Sequence, residues 1–377
     1  MIHGSIIRIS LLAIFIATFH PGTSTAYDLT NSFSIEGTAT IVVQHADLDN
    51  VFNESDNKVS DTGRGATILD IGLNYHPTDN DEFQITYSFA EGEAINGIEA
   101  FSLAPFADDL EEDLSDINNS DRYNLLEAWY KHTFNFSEQS SLGITAGIIG
   151  SSGYIDDNEY ANDEISQFMN DIFVNNTLAN LPDYDVGAAL EFESGLWSVK
   201  AVAMESENDD RNDYNYYAIQ IGHHVATRWG TGNYRIYAFS TDDEFVDNDG
   251  MGEDNLIGYG LSLDQQINES IGAFARIGIQ DDEVPVDHDE MISLGISIAG
   301  NKWNRPDDTL GAAIAFLDGA SKSSSEINDT KAFEAYYRYI FSDYFDLTLD
   351  AQWIEDDLRE SKDPKGILIG LRFNANF

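Results

Sequence analysis

Segments of about ten residues in which apolar and polar side chains alternate recur along the chain from Tyr27 to Phe377. Successive side chains of an extended strand point to opposite faces, so this pattern predicts strands with one apolar and one polar face. The length suits a tilted strand that crosses a bilayer. About sixteen such segments are found, at residues 35–45, 67–75, 83–89, 122–136, 141–149, 184–193, 197–205, 216–224, 233–239, 257–265, 271–280, 291–299, 309–317, 332–340, 345–354 and 366–377.

The connections between these segments alternate between long and short. Residues 46–66 and 151–183 are long connections, whereas residues 77–80 and 194–195 are tight turns, and the turn through Trp303 is the exception. A β-sandwich or a propeller has no reason to keep this parity, but a membrane barrel has long loops on one side and short turns on the other. The sequence therefore predicts an all-β fold, a transmembrane antiparallel β-barrel of about 16 strands.

The segment at residues 366–377 is the most apolar, and it runs to the last residue, Phe377. Taken alone, it also fits a strand of a soluble β-sandwich. In a barrel, the last strand pairs with the first and so removes the sheet edges. We expect this closure here, with Phe377 at the periplasmic rim as the residue that the barrel-assembly machinery reads.

The first 26 residues have the pattern of an export leader. Arg8 precedes an apolar stretch at residues 9–19, and small residues at 24–26 suit cleavage after Ala26. The apolar stretch is too short for a membrane-spanning helix. We therefore expect residues 1–26 to be a signal peptide and residues 27–377 to form one barrel domain. Export without a spanning helix leaves the periplasm, the outer membrane or the outside.

Charge and cysteine content exclude several classes of function. The chain has 19 basic and 67 acidic residues, a net charge of −48, and no cysteine. Nucleic-acid binding is excluded because phosphate contacts need a basic surface. The absence of cysteine excludes a disulfide framework and thiol chemistry. Aromatic residues make up 12% of the chain, which is more than a disordered acidic chain would carry.

Runs of acidic residues lie mainly in the long connections, at residues 108–113, 281–283, 287–290 and 355–357. They are interpreted either as a negative mouth, which disfavours anions or binds divalent cations, or simply as solvated loops. Residues 247–250 resemble part of a calcium-binding loop, but apolar residues stand at two of its ligand positions. The sequence therefore predicts no metal site and no cofactor.

If the apolar faces meet lipid, the polar faces line a lumen. A basic side chain on the lipid face costs ~2–4 kcal/mol at mid-depth, so inward placement of charge is nearly obligatory. Such residues either form a selectivity ladder that contacts solute or neutralise the charge of acids in the lumen. The candidate lining residues are Glu127, Trp129, Lys131, Lys200, Arg235, Arg276, Glu334, Tyr336, Arg338, Asp346, Asp350 and Arg372.

The long connection at residues 151–183 is the candidate for a constriction. Apolar residues at 165, 168, 169, 172 and 173 have helical spacing, which predicts a helix over residues 163–174. Asp163 is its expected N-cap. The helix either packs on the inner wall and narrows the lumen, or lies over the outer rim. In the first case Asp163, Gln167, Asn170 and Asp171 are the expected constriction residues.

Several of these stretches resemble the carbohydrate-selective porin family, OprB. The resemblance extends from about residue 125 to the end and is clearest in the segments YIDDNEYAND (154–163), QFMN (167–170), LPDYDVG (181–187), NRPDDTLG (304–311), AYYR (335–338) and LTLDAQ (347–352). It implies a sixteen-stranded channel with an inward loop, which passes sugars across the outer membrane of a Gram-negative bacterium. With that function, Trp129 and Tyr336 are expected to stack on sugar rings, and the charged lining residues to bind hydroxyl groups.

The leading hypothesis is thus a porin whose solutes are small and hydrophilic, mainly carbohydrates, with outer-membrane lipid around it and the oligomeric state left open. A general or cation-preferring porin without sugar selectivity is the alternative. An acidic surface scaffold and an outer-membrane hydrolase fit less well. The hydrolase needs a nucleophile, a base and an acid held together. Since His223 and His224 have no such motif around them, we expect no enzyme activity.

Overall fold

The computed structural model describes residues 27–52, 57–115, 117, 122, 124–208, 211–322 and 326–377. The expected signal peptide, residues 1–26, lies outside the described residues. Sixteen long strands dominate the described part of the chain: β1 (Phe33–Phe52), β2 (Lys58–Thr78), β3 (Asp81–Glu91), β4 (Leu125–Ser137), β5 (Ser140–Ile149), β6 (Asp185–Ser194), β7 (Trp197–Glu207), β8 (Asp213–Ala226), β9 (Thr231–Thr241), β10 (Ile257–Asn268), β11 (Ile271–Gln280), β12 (His288–Ala299), β13 (Thr309–Gly319), β14 (Ile327–Ser342), β15 (Phe345–Leu358) and β16 (Lys365–Asn376).

Short elements complete the described structure. They are the strands Tyr27–Thr30, Phe245–Val246 and Glu253–Asp254, the helices α1 (Glu111–Ser115) and α2 (Asp171–Val174), and the 3-10 turns Asn96–Ile98, Ser151–Gly153, Thr177–Ala179 and Gly300–Trp303. Within the residues described, no helix has both the length and the apolar character needed to cross a bilayer.

Each long strand pairs antiparallel with the next, and β16 pairs with β1, so the sheet closes on itself. Val42 of β1 stands opposite Arg372 of β16 in this closing pair. Past the end of β16, Phe377 and Gly37 exchange two backbone hydrogen bonds of 2.9 Å. The predicted sixteen-stranded barrel, with its last strand closing on its first, is confirmed.

Side-chain exposure follows the alternation in the sequence. In β16, Ile367 is 57% exposed and Ile369 is 53% exposed, whereas the intervening Leu368 is 1% exposed. The exposed set is the apolar one, as expected of a wall that faces lipid. Rings of Tyr75, Phe83 and Tyr130 form a continuous outward row near the short turns, with centroid separations of 6.0 and 4.6 Å. Such a row is typical of an interfacial girdle.

Part of the predicted long connection at residues 46–66 is strand instead. β1 and β2 continue as a paired hairpin beyond the apolar band, with Asp47 opposite Asp61 and Val51 opposite Val59. The exposed side chains of β1 in this extension include Asp47 and Asp49, so the apolar outer face that marks the membrane strands does not continue into it. The other strands lie at their predicted places, and β11 has its predicted bounds.

Two long loops fold into the lumen. The second loop, residues 150–184, bonds to Arg276 on β11, Glu334 on β14 and Arg372 on β16. One segment can reach such widely spaced strands only from inside the barrel. The first loop, described at residues 92–115, 117, 122 and 124, bonds through the Pro105 carbonyl to Gln44 on β1 at 3.2 Å and to Gln352 on β15 at 2.9 Å. The inward position of the second loop was predicted, whereas that of the first was not.

The helix predicted over residues 163–174 is wrong in extent. Only α2, at Asp171–Val174, is helical, and Asn170 before it is extended and accepts a hydrogen bond from the Ile172 amide at 3.2 Å. Asp163 caps a separate turn instead, since its Oδ1 accepts bonds from the Ile165 and Ser166 amides at 2.8 and 3.0 Å.

The physical reason lies in the barrel wall. The amides of Met169 and Asn170, which a continuous helix would bond to its own carbonyls, donate to the Glu334 carboxylate at 2.6 and 2.9 Å. Tertiary hydrogen bonds therefore replace helical ones at this point. The apolar periodicity still marks the buried face, because Phe168, Ile172 and Phe173 are fully buried.

Inward-facing glycines give the interior side chains room against the wall. A Cβ at Gly311 on β13 would lie 2.2 Å from Cε1 of Tyr336, its cross-strand partner, and Tyr336 is itself buried. A Cβ at Gly272 on β11 would meet the ring of Tyr160 of the second loop at 2.1 Å. A strand glycine of this kind marks a close approach by another group.

Replacing Gly311 by alanine is therefore expected to destabilise the barrel. The added methyl group overpacks a buried site, which typically costs about 1–3 kcal/mol in the free energy of unfolding. Urea unfolding in detergent, followed by tryptophan fluorescence, measures this change. Gly153→Ala is the control, because a Cβ there has no neighbour within 4 Å. Equal stability of the two variants would contradict the close packing of Tyr336 on β13.

Candidate functional site

A water-accessible opening of about 510 Å³ remains between the two inward loops. The loops touch beside it, since the Ala107 amide donates to the Met169 carbonyl at 2.8 Å and the Asp171 amide donates to the Ala104 carbonyl at 3.2 Å. These bonds join the loops directly inside the barrel. We call the opening between them the eyelet.

The eyelet is lined by acidic and neutral side chains. No Lys, Arg or His occurs among the described residues that line it. No group of three or more His, Cys, Asp or Glu in the described part of the chain is arranged to hold a metal ion. The six carboxylates of the lining are Asp108, Asp109 and Asp113 from the first loop and Glu164, Asp171 and Asp183 from the second.

The first loop holds its carboxylates in place through buried apolar anchors. Phe106 and Leu110 have no exposed surface and pack with Ile68 of β2. Asp113, in the first turn of α1, accepts a hydrogen bond from the Leu110 amide at 3.0 Å. The chain between the two anchors therefore presents Asp108 to the opening.

The second loop presents Asp171 at the start of α2. Burial raises the pKa of Asp171 to about 7, although backbone amides that bond to its carboxylate act in the opposite direction. Burial, with the charge of Asp113 across the eyelet, also raises the pKa of Asp183. Burial and the neighbouring Asp163 raise the pKa of Glu164. These groups therefore change charge near neutral pH, well above the usual range of carboxylates.

Neighbouring acids also raise the pKa of Asp108 in the first loop and of Tyr184 in the second. Burial, together with Glu164, raises the pKa of Asp108 well above its ordinary value. The negative charge of Asp109 is the main reason that the pKa of Tyr184 is also raised, with burial second. Burial and like charges across the opening hold the pKa of these groups above its ordinary range, so the eyelet gains negative charge as the pH rises and loses it as the pH falls.

The basic residues among the predicted lining residues on β4, β7, β9 and β14 pair with acids of the lumen. Lys131 pairs with Glu191. Lys200 and Arg235 both pair with Asp157 of the second loop, at 3.4 and 3.0 Å. The remaining partners are Arg338 with Asp346 at 2.7 Å and Glu127 with Thr86 at 3.3 Å, while Trp129 packs against a cluster of buried apolar residues.

Four other predicted lining residues point inward but are covered. Arg276, Glu334 and Arg372 have no exposed side-chain surface, and Tyr336 is 2% exposed. The second loop lies over them, and the Tyr336 ring packs edge-to-face on Phe168 at 5.0 Å rather than toward the lumen. A passing solute does not reach these four side chains in this structure. Asp350 is also buried, beside Gln352 at 3.0 Å.

Of the predicted constriction residues, Asp171 lines the eyelet. Asn170 is buried and donates to Gln352 on β15 at 3.2 Å. Asp163 caps its turn, and Gln167 bonds to the Glu159 carbonyl at 3.0 Å within the second loop. Asp163 and Gln167 thus stabilise the loop internally, and Asn170 attaches it to the wall.

Sequence reasoning did not assign the acids at 108, 109, 113, 164 and 183 to the constriction. The acidic run at residues 108–113 was interpreted as part of an outer mouth or as a solvated loop. A pattern that could have placed it inside is the spacing of Phe106, Leu110 and Leu114, which recur every four residues. Apolar residues at this interval mark a buried face even among acids.

Comparisons with known proteins agree with this architecture. The family model described as carbohydrate-selective porin, OprB family, matches residues 73–377. A protein of Aquifex aeolicus (strain VF5), described as uncharacterized, is 30% identical over 278 residues, which are 74% of this chain and 76% of the relative.

Solved porin structures are similar in fold. The high-pH structure of Pseudomonas putida OprB has a TM-score of 0.71 at 13% identity and covers 92% of this chain and 94% of its own. The outer membrane channel DcaP of Acinetobacter baumannii has a TM-score of 0.53 at 11% identity and covers 93% of this chain and 99% of its own. Fold and family model together indicate an outer-membrane channel rather than an enzyme.

The charge of the eyelet leads to a pH-dependence test. At pH 8 Asp171 is mainly charged, and at pH 5 it is mainly neutral, because its pKa is raised to about 7. We expect the preference for potassium over chloride, taken from the reversal potential in a salt gradient across a planar bilayer, to fall from pH 8 to pH 5. Asp171→Asn is expected to flatten this fall. Asp249→Asn, in an exposed loop outside the eyelet, keeps the wild-type profile. A steeper fall in Asp171→Asn would contradict this assignment.

Proposed function

Because the chain belongs to the OprB family of carbohydrate-selective porins, we propose that it is a passive channel in the outer membrane of a Gram-negative bacterium which admits sugars and small cations and disfavours anions. The observation that supports this charge preference is the eyelet, which six carboxylates and no basic residue line in the described structure. The sequence left sugar passage and cation preference as alternatives, and one acidic eyelet accommodates both.

Passage needs no chemical step. Solutes move through a hydrated lumen in which weak contacts at several sites replace water without holding the solute. Carboxylate oxygens accept hydrogen bonds from sugar hydroxyls, and a carboxyl group that is protonated near neutral pH can also donate one. The side-chain amides of Asn96, Asn175 and Asn180, which also line the eyelet, supply both donors and acceptors. A neutral polyhydroxylated solute therefore finds partners for its hydroxyl groups.

Charged solutes are sorted by the field in the opening. In a narrow, water-filled passage with walls of low dielectric, one sign of fixed charge raises the local concentration of the opposite sign. Cations therefore enter readily, whereas an anion meets repulsion from both loops. Tyr184 adds aromatic surface to the lining, which suits the apolar face of a sugar ring.

An export leader and the barrel-assembly machinery bring the barrel into the outer membrane. The leader is removed after Ala26, and the barrel-assembly machinery inserts residues 27–377. The exposed apolar band, which includes Ile367 and Ile369 of β16, then contacts lipid. The exchanged hydrogen bonds of Phe377 and Gly37 supply the sealed end that insertion requires.

Liposome swelling with three hexose derivatives of matched size tests the proposed function. Glucose is neutral, glucosamine is a cation and glucuronate is an anion at pH 7. We expect glucosamine and glucose to enter purified-protein liposomes faster than glucuronate, because the eyelet repels negative charge. Liposomes without protein provide the background rate. Faster entry of glucuronate would contradict the charge preference. Rates for amino acids equal to those for sugars of the same size and charge would leave a general porin.

A further inference from the structure

Three charged side chains on the inner wall hold the second loop: Arg276 on β11, Glu334 on β14 and Arg372 on β16. We infer that these are positioning residues, which fix the second loop across the lumen and thereby set the shape of the eyelet, rather than groups that meet solute. All three are fully buried beneath the loop. These contacts hold the loop whichever solute the channel carries.

Arg276 binds the loop at its backbone. Its guanidinium donates to the carbonyls of Phe173 and Val174 at 2.8 and 3.0 Å, and also to the carbonyls of Asp156 and Ala161. Its Nε lies 2.9 Å from the Asp156 carboxylate, which is likewise fully buried. One side chain thus forms hydrogen bonds to both ends of the segment between residues 156 and 174. The planar fork of arginine suits such multiple bonding, whereas lysine provides only a single charged centre.

Arg372 holds the preceding turn. It donates to the carbonyls of Glu164 and Gln167, the second at 3.0 Å, and to the hydroxyl of Thr348 on β15 at 3.2 Å. Asn374, two residues later on the same face of β16, donates to the Ile165 carbonyl at 2.7 Å. Glu164, an eyelet carboxylate, therefore belongs to a turn whose carbonyls are fixed by β16.

Glu334 binds the opposite kind of group. Its two carboxylate oxygens accept the Met169 and Asn170 amides, immediately before α2. Arg276 binds the carbonyls of Phe173 and Val174, at the other end of α2. A negative side chain thus meets amides at the start of the turn and a positive one meets carbonyls at its end, as the peptide dipoles favour. Asp171 is the first residue of this turn, so its place in the eyelet depends on both contacts.

A cysteine at position 169 reports on this arrangement. Met169 of the second loop is fully buried against β1, β2 and the first loop, and the chain has no native cysteine. We expect Met169→Cys to react slowly with a water-soluble methanethiosulfonate in the folded barrel. Adding Arg372→Met or Glu334→Ala should speed the reaction by roughly tenfold or more, because the loop then opens locally. Adding Arg64→Met, which removes an equal charge from an exposed hairpin, is the control and should leave the rate unchanged.

Charge and hydrogen-bond geometry are separated by lysine variants. Arg276→Lys and Arg372→Lys keep the charge but lose the fork, so we expect their reaction rates to lie between that of the parent and those of Arg276→Met and Arg372→Met. Electrophoresis of unheated samples in SDS verifies a folded barrel in each case. If a methionine variant does not fold, the lysine variants carry the test.

Single-channel recording gives the second measurement. Loss of Arg276 or Arg372 should add open-channel current noise, because a loosened loop moves within the lumen. Slow reaction of Met169→Cys in every folded variant would overturn the inference. So would lysine variants identical to wild type together with methionine variants that change only the reversal potential, because the arginines would then act merely as charges facing the pore.

Discussion

A loop that lies inside a barrel must find hydrogen-bond partners for its own peptide groups, and in this protein charged side chains on the wall supply many of them. An unpaired buried peptide group costs free energy comparable to a lost hydrogen bond. Arg276 and Arg372 donate hydrogen bonds to carbonyls of the second loop. Glu334 accepts hydrogen bonds from two of its amides. The place of the loop, and with it the shape of the passage, depends on these contacts.

The same contacts determine which charged side chains of the lumen remain accessible to a solute. The basic side chains are few, and those that face inward bond to loop carbonyls or pair with acids such as Asp156, Asp157 and Asp346. None of them lines the eyelet as the structure describes it, where only carboxylates carry charge. A protein can therefore place half a dozen basic residues on its inner wall and still present a negative passage, because the position of the loop decides which charges meet the solute.

Alternation of side chains was enough to predict the barrel, because each strand meets lipid on one face and protein or water on the other. It also identified Arg276 and Arg372 as inward-facing. Their role depends on what covers them, which a strand pattern does not contain. The helix predicted over residues 163–174 was too long because Glu334, distant in sequence, takes the amides that would have continued it. The acids at residues 108–113 resembled any solvated loop, since only tertiary packing of Phe106 and Leu110 brings them inside.

Two inward loops meet inside the barrel and leave an opening lined by carboxylates. Crystals of the protein soaked in rubidium bromide test it directly, because anomalous scattering locates both ions in one experiment. We expect rubidium within the eyelet, close to Asp109 and Asp171, and no bromide there. Bromide in the eyelet, or a lumen from which the first loop is absent, would contradict it.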